Sequence, residues 1–375
     1  AQAITTEMGA PITMSREAQA DAGVGHLEGF IEALENSKER EELSNGDTIV
    51  REPIGVCGLI TPWNWPINQI ALKVIPALAA GSTCVLKPSE HTPLSATLYA
   101  EFIDAAGFPK GSFNLVHGDG PTVGSALSRH PDVQMMSFTG STRAGTSVTK
   151  DSADTVKRVT LELGGKSPNL IFADCDLEDR VSGSVLECFF NTGQSCDAPT
   201  RLLVESSCYD EVLKIAKKTA ENQGVGDPTR EGDHLGPLFD KIQFNRVQNM
   251  IDVGIGEADL LVGGLGKPDG LENGWYVKPT IFKDVKNNMR IAQEVPTFVD
   301  GHKLFVYLDV LNLMNLIDED KGHQKYYNYG SRGLLESDGF NSSGQIIITG
   351  IDDRGPSTDT YGSRYRMQLG FAYKF

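Results

Sequence analysis

The sequence predicts an α/β fold built on a mostly parallel sheet, with a β-rich tail of different texture. Three observations lead there. Up to about position 294, short apolar runs alternate with amphipathic helical stripes, the βαβα order of a parallel sheet covered by helices. Glycines and prolines punctuate the junctions. After Glu294 the helical period fades, and Gly, Asn, Ser and Tyr accumulate.

The first buried strand is Gly55 to Ile60 (GVCGLI). Ile67, Ile70, Ala71, Val74 and Leu78 then mark one helical face, stopped at Gly81. Thr83 to Leu86 (TCVL) is the next strand. Leu94, Leu98, Phe102 and Ala105 form a second helical stripe, closed by Gly107 and Pro109. Phe113 to Val116, Val133 to Phe138, Val159 to Leu163 and Asn169 to Phe172 continue as strands. Asp176 is placed to cap a helix carrying Leu177, Val181, Val185 and Cys188. Arg201 to Val204 is a further strand, and Ser207 is placed to cap a helix with Val212 and Ile215. In the final stretch Tyr365, Met367, Leu369, Phe371, Tyr373 and Phe375 alternate with Arg366, Gln368, Gly370, Ala372 and Lys374. That is a period-2 strand, long enough to cross a membrane obliquely in a barrel.

Composition narrows the function. A chain of 375 residues can hold two domains with sizeable cores. A formal charge of −16 argues against a nucleic-acid partner, whose phosphates need a basic face. The six cysteines contain no CxxC pair and suggest free thiols in a reducing cytosol, hence a cytoplasmic location. The seven histidines are scattered, with no HExxH, so no metal is expected. No apolar stretch is long enough for a membrane helix. The chain opens Ala1-Gln2-Ala3 with no leader-like pattern and reads as the interior of a longer protein.

Five local patterns can carry chemistry. Cys196, in FFNTGQSCDAPT (189–200), follows a predicted helix and a glycine-containing turn. Backbone N–H donors at such a turn favour the thiolate, although a cysteine in an α/β protein also serves as inert core. Glu162, in LELGGKSP (161–168), sits in a strand just before two glycines. It is paired, exposed at the strand end, or functional. Gly118-Asp119-Gly120 with Gly124, and Gly140-Ser141-Thr142-Arg143-Ala144-Gly145, follow predicted strands and can present N–H groups to a pyrophosphate; each is also compatible with a plain turn. Lys87-Pro88-Ser89-Glu90 ends another strand. The GGKS run does not make a P-loop, because Thr160 stands where that motif needs its first glycine.

EPIGVCGLITPWNWP (52–66), LKPSE (86–90), SFTGSTRAG (137–145), LELGGKSPN (161–169) and NTGQSCDAPT (191–200) occur in this order. Together they resemble the aldehyde dehydrogenase superfamily, from the first residues to Glu294. The resemblance implies a Rossmann-like NAD-binding domain at 1–163, with an oligomerisation hairpin at about 35–53, and an incomplete α/β catalytic domain at 164–294. It implies NAD as cofactor, a small-molecule aldehyde as substrate and a homo-oligomeric family. Cys196 would attack the aldehyde to give a thiohemiacetal. Asn64 and the Cys196 backbone N–H would hold the oxyanion. Hydride transfer would leave a thioester, and Glu162 would activate the water that hydrolyses it. Lys87 and Glu90 match positions that hold the adenosine ribose. Gly120, Gly140 and Ser141 match those near the adenine and pyrophosphate, and Ile60, Thr61, Pro62 and Trp63 match the adjoining wall. Trp65 reads as core packing.

The chain departs from that pattern in four ways. Asp197 follows the nucleophile where a neutral residue is usual, and would disfavour the thiolate if it faced the site. About a hundred N-terminal residues of the family pattern are not seen. Val295-Pro296-Thr297 follows Glu294 where the family continues EIFGPV, so the carboxylate for the nicotinamide ribose is lacking. The later segments that complete the aldehyde pocket and the oligomer interface are not seen either. LFVYLDVLNLMN (304–315) and YRMQLGFAYKF (365–375) resemble the last strands of a TonB-dependent outer-membrane receptor. So short a tail cannot close a barrel, which needs at least about eight strands. The rival to an active dehydrogenase is therefore an inactive nucleotide-binding remnant joined to an outer-membrane β-barrel fragment.

Overall fold

The structure is a computed structural model. It describes residues 1–292 in full and, beyond them, the strands at 303–311, 325–326, 335–340, 346–351, 357–358 and 366–374. The chain divides into two compact units, Ala1–Glu294 and Val295–Phe375.

In the first unit an exposed hairpin, β1 (Arg40–Glu42) with β2 (Thr48–Val50), precedes the main sheet. That sheet holds β3 (Val56–Ile60), β4 (Thr83–Lys87), β5 (Phe113–Leu115), β6 (Met135–Gly140) and β7 (Arg158–Leu163). All five strands are parallel, in the order β5-β4-β3-β6-β7. The chain leaves β3 towards β5, then returns to β6 on the other side. This reversal opens a crevice at the carboxyl ends of β3 and β6, where α/β sheets receive ligands. The expected parallel α/β sheet is present, and its strands start and stop within about two residues of the sequence reading.

Residue type explains the layers. The helix Pro66–Ala79 starts on proline, whose missing N–H costs nothing in a first turn. Its buried face is Ile70, Ala71 and Val74. Ile70 and Val74 pack on Cys57, Leu59, Cys84 and Leu86 of β3 and β4, together with Ala96 of the helix Pro93–Ala105. Phe138 and Met136 of β6 pack with Ile60, Val133 and Val148. A parallel pair, β8 (Pro168–Ile171) and β9 (Arg201–Val204), lies under the helices Leu177–Phe189 and Tyr209–Asn222. Their shared core is Ile171, Val181, Val185, Val212 and Ile215. Asp176 caps the first of these helices, accepting from Asp179 N–H at 3.1 Å. Ser207 does not cap the second. It lies in a short 3-10 turn and donates instead to the Glu205 carboxylate two residues back, a closer acceptor than the helix end. An antiparallel pair, β10 (Asp259–Val262) with β11 (Ile281–Lys283), follows.

In the second unit β12 (Lys303–Leu311), β13 (Lys325–Tyr326), β14 (Leu335–Phe340), β15 (Ile346–Ile351), β16 (Ser357–Thr358) and β17 (Arg366–Lys374) pair antiparallel as β12–β17, β13–β16 and β14–β15. The strand expected at the end of the chain is β17. The receptor resemblance of 304–315 and 365–375 rests on side chains outside the described residues. Among the described residues no helix is long and apolar enough to cross a membrane.

Two neighbours on one helix give a contrast that tests the packing. Ile70 is 1% exposed and Leu72 is 38% exposed. Ile70→Ala is expected to destabilise the protein by about 2–5 kcal/mol, and Leu72→Ala by no more than about 0.5 kcal/mol. Denaturant midpoints at constant slope measure both. Equal losses would show that this face does not carry the core.

Candidate active site at the carboxyl edge of the sheet

The expected site residues fall into two groups along the same sheet edge. The first surrounds the crevice. Ile60 and Thr61 lie at the end of β3, both buried, with half-buried Pro62 and Trp63 just beyond. Lys87 ends β4 and is almost fully buried. Its Nζ donates to Pro88 O at 2.8 Å and pairs with the exposed Glu90 carboxylate at 3.1 Å. Partial burial pushes the Glu90 carboxyl up, but backbone N–H donation and the Lys87 ammonium outweigh it, and the group lies below the usual carboxylate range. Gly140 ends β6, and Ser141 caps the following helix by accepting from Ala144 N–H at 3.3 Å.

The turn after β5 joins this group. Asp119 caps the wide turn Gly120–Gly124 by accepting from Thr122 N–H at 2.7 Å. A Cβ on Gly124 would lie 3.7 Å from Ile60 and 3.8 Å from Lys87, so the turn sits over both. Gly118 requires its glycine, since its φ is +146° and a Cβ would meet Val123 at 2.3 Å. At Gly120 a Cβ would meet nothing within 4 Å, so packing does not demand glycine there.

Two observations fit a polar ligand in this crevice. Thr61 Oγ1 and Thr139 Oγ1 are among the buried polar atoms that have no hydrogen-bond partner. Such an atom is costly unless something else satisfies it. Ser141 also opens a helix of eleven residues at the sheet's switch point, a geometry suited to a pyrophosphate.

The second group surrounds Cys196. The helix Leu177–Phe189 ends in a sharp turn where Asn191, Thr192 and Gly193 have φ of 54°, 56° and 70°. Left-handed backbone at a β-branched residue is strained, and such strain persists only where its surroundings impose it. Here the buried Asn191 amide donates to Asn64 O at 2.9 Å, and Gln19 Nε2 donates to the same carbonyl at 3.0 Å. The Asn64 amide donates in turn to Gln194 O at 2.7 Å, two residues before Cys196. Trp65, read from sequence as core packing, also donates from Nε1 to Ser195 Oγ at 2.8 Å. On the other side, a Cβ on Gly165 would lie 3.2 Å from Cys196 O, so the turn after β7 touches the Cys196 main chain.

Glu162 lies one residue before the end of β7, exposed, paired in register with Thr139 of β6. Its charge acts on Cys196 and on Lys73. Cys196 is half-buried, and like the other five cysteines, of which Cys57, Cys84 and Cys208 are fully buried, it is a free thiol. Burial pushes its thiol up, and the Asp197 and Glu162 carboxylates push the same way. The N–H groups of Cys196 and Asp197 oppose the rise, as expected for this turn, but they are outweighed. The expectation that the turn favours the thiolate is therefore corrected: the donors are present, and desolvation with two carboxylates exceeds them.

Lys73 was not singled out in the sequence. It lies between Ile70 and Val74 on the packed side of its helix, and its Nζ donates to Ser137 Oγ at 2.9 Å. Burial lowers it to about 8, and the Glu162 charge opposes that fall. A lysine inside an apolar stripe was the available signal. Gln19 and Asn191 carried none, because partners 45 and 127 residues from them, both at Asn64, give them their meaning. Among the described residues no group of three His, Cys, Asp or Glu is placed to hold a metal ion.

The chain matches the family model described as "Aldehyde dehydrogenase family" over residues 1–297. A 3-succinoylsemialdehyde-pyridine dehydrogenase from a Pseudomonas species is 50% identical over 343 residues, covering 90% of this chain and 69% of the relative. That match is longer than the family segment, so it runs into the second unit. The crystal structure of an aldehyde dehydrogenase from Bartonella henselae is 53% identical, with a TM-score of 0.76, covering 77% of this chain and 62% of that one. That of aldehyde dehydrogenase C from Pseudomonas syringae, complexed with NAD+ and octanal, is 50% identical, with a TM-score of 0.76, covering 78% and 60%. The chain thus spans between three fifths and seven tenths of these relatives' lengths.

Replacing Asp197 tests the electrostatic account of Cys196. Asp197→Asn removes one upward push, so the pH midpoint of iodoacetamide alkylation should move down. The alkylation rate near neutral pH should rise several-fold. An unchanged midpoint would show that the carboxylate faces away from the thiol.

Proposed function

Because the chain belongs to the aldehyde dehydrogenase family, we propose that its first unit oxidises an aldehyde to a carboxylic acid with NAD, using Cys196 as nucleophile. The observation that carries this reading is the convergence of three segments. The Asn64 amide bonds the turn that presents Cys196, and the Glu162 charge reaches the same thiol. In this reading residues 1–163 form the cofactor-binding domain and 164–294 the catalytic one.

The chemistry follows from what each group can do. The Cys196 thiol releases its proton to solvent, and its sulfur adds to the aldehyde carbon to give a thiohemiacetal. The developing oxyanion accepts from the Cys196 backbone N–H and from Asn64. The Asn64 amide carries two N–H donors, and Gln194 O engages only one of them. A neutral amide stabilises the oxyanion without protonating it. Held by the crevice residues, oxidised NAD would supply the acceptor for the hydride that leaves the adduct carbon. Glu162 takes a proton from water as its oxygen attacks the thioester carbon. The carbon–sulfur bond then breaks, the acid leaves, and Cys196 is regenerated.

The cofactor residues fit the same reading. Lys87 and Glu90 would hold the adenosine ribose. Gly140, Ser141 and Gly120 would face the pyrophosphate and adenine, against the wall of Ile60, Thr61, Pro62 and Trp63. The second reading, a slow or inactive remnant, draws on Val295-Pro296-Thr297 standing where the family continues EIFGPV. In it, the alternation in 365–375 supports a receptor-like final strand.

Reduction of NAD with a simple aldehyde, followed at 340 nm, decides between the two. Activity lost in Cys196→Ala supports the first, and no activity in the unaltered chain supports the second. Glu162→Gln should lower steady-state turnover by about 10²–10⁴-fold and leave a burst of one thioester per chain. A steady rate without a burst would remove Glu162 from the hydrolytic step.

Cofactor choice gives a separate test. A 2′-phosphate would meet the Glu90 carboxylate, so NAD should bind at least about tenfold tighter than NADP. Glu90→Ala should narrow that gap. Equal dissociation constants in the unaltered chain would contradict the ribose assignment.

A further inference from the structure

Phe239 stands where the crevice group and the nucleophile group meet, and nothing in its sequence context marks it. Its ring stacks on Trp63, with centroids 4.8 Å apart and planes at 26°. The His91 imidazole meets the same ring edge-on at 4.6 Å. Trp63 belongs to the cofactor wall and adjoins Asn64, while His91 adjoins Glu90. The Phe239 backbone N–H donates to Gln194 Oε1 at 3.1 Å. Gln194 is the residue whose carbonyl holds the Asn64 amide.

The mounting of Phe239 is rigid on both sides. The N–H of buried Leu238 donates to Trp275 O at 2.9 Å. Asp240 caps the helix Lys241–Glu257, accepting from Gln243 N–H at 2.7 Å. Phe239 also packs on the cluster of Ile4, Met8 and Ala10. A ring that only fills space needs no backbone bond into the nucleophile turn. A ring fixed at both flanks, touching the wall with its face and the turn with its N–H, can pass a displacement from one to the other.

We propose that Phe239 is a positioning residue that couples occupancy of the cofactor crevice to the setting of the Cys196 turn. The inference rests on the assignment of Cys196 as nucleophile and of the crevice as the NAD site. When a cofactor presses on Trp63 or on the Glu90–His91 corner, the stacked ring moves with them. Its tether to Gln194 then shifts the turn carrying Ser195 and Cys196.

The experiment uses the full chain and needs no turnover. Cys196 alkylation by iodoacetamide is timed by mass spectrometry with and without saturating NAD, and NAD binding is followed by tryptophan fluorescence. In the unaltered chain NAD should change the alkylation rate at least about fivefold. Phe239→Leu keeps apolar volume and loses the stack, so the change should fall below about twofold, with the NAD-free rate little altered. Phe239→Tyr should restore it. Gln194→Ala leaves the ring in place and cuts the tether, along with the bond from Gln194 Nε2 to Asn191 O at 3.1 Å, so if Phe239→Leu does not fold it carries the expectation of the lost NAD effect alone, each rate compared with and without NAD in the same variant. A full NAD effect in Phe239→Leu or Gln194→Ala overturns the coupling. So does an unaltered chain that binds NAD with no change in alkylation, and Cys196 then remains the nucleophile. Preferential alkylation of another cysteine, or no binding of NAD, overturns the underlying assignment and the coupling with it.

Discussion

The buried carbonyl of Asn64 accepts from Gln19 and from Asn191, and the Asn64 side chain donates to Gln194. Three distant stretches of chain are tied at that one residue: the N-terminal helical segment, the connection out of β3, and the turn that presents Cys196. A buried amide left unpaired costs roughly 1–3 kcal/mol, so loss of one partner exposes the others to that penalty. The same knot accounts for the left-handed backbone at Asn191 and Thr192, which an isolated turn would not hold. The candidate chemistry therefore depends on packing at the front of the first unit as much as on the catalytic side chains.

Around this knot the electrostatics run against an easily ionised nucleophile. Desolvation and two carboxylates hold the Cys196 thiol up, and two backbone N–H groups offset only part of that. Lys73, lowered to about 8 by burial, lies within reach of the Glu162 charge. Part of its charge is lost close to neutral pH, so the balance of charge around Glu162 varies with pH in the range where the proposed hydrolysis would occur.

The first unit also leaves much apolar surface open. Val24, Leu27, Ile31 and Leu34 lie along the helix Asp21–Glu35, and Leu170 and Leu203 on the β8–β9 pair are likewise exposed. These residues sit at helical or strand spacing, the spacing of faces that pack in larger folds.

Periodicity located β3 to β9 and the helices Pro66–Ala79, Pro93–Ala105, Leu177–Phe189 and Tyr209–Asn222, because apolar residues at period 3.6 and short apolar runs report which backbone can bury them, but it left the helices Asp21–Glu35, Thr142–Ser152 and Lys241–Glu257 and the β10–β11 pair unread. The order of the motifs put Asn64, the crevice residues and Glu162 at or just beyond strand ends, and the parallel sheet sets those ends on a common edge, since each β–α connection leaves at the carboxyl end, whereas Cys196 comes from a turn after the helix Leu177–Phe189. Asp197 beside Cys196 could be read as a threat to the thiolate from sequence, but its sign against the backbone donors needed the burial of the turn. Ser207 looked like a cap until Glu205 offered a nearer partner. Lys73, Gln19, Asn191 and Phe239 gained their roles from contacts between residues far apart in the chain, which no local pattern encodes. The sequence by itself determined the type and order of the elements, because those depend on neighbours within a turn or two. Only the tertiary structure decided which polar groups meet, how far each is desolvated and so which way its proton equilibrium moves, because those depend on what the rest of the chain brings to the site.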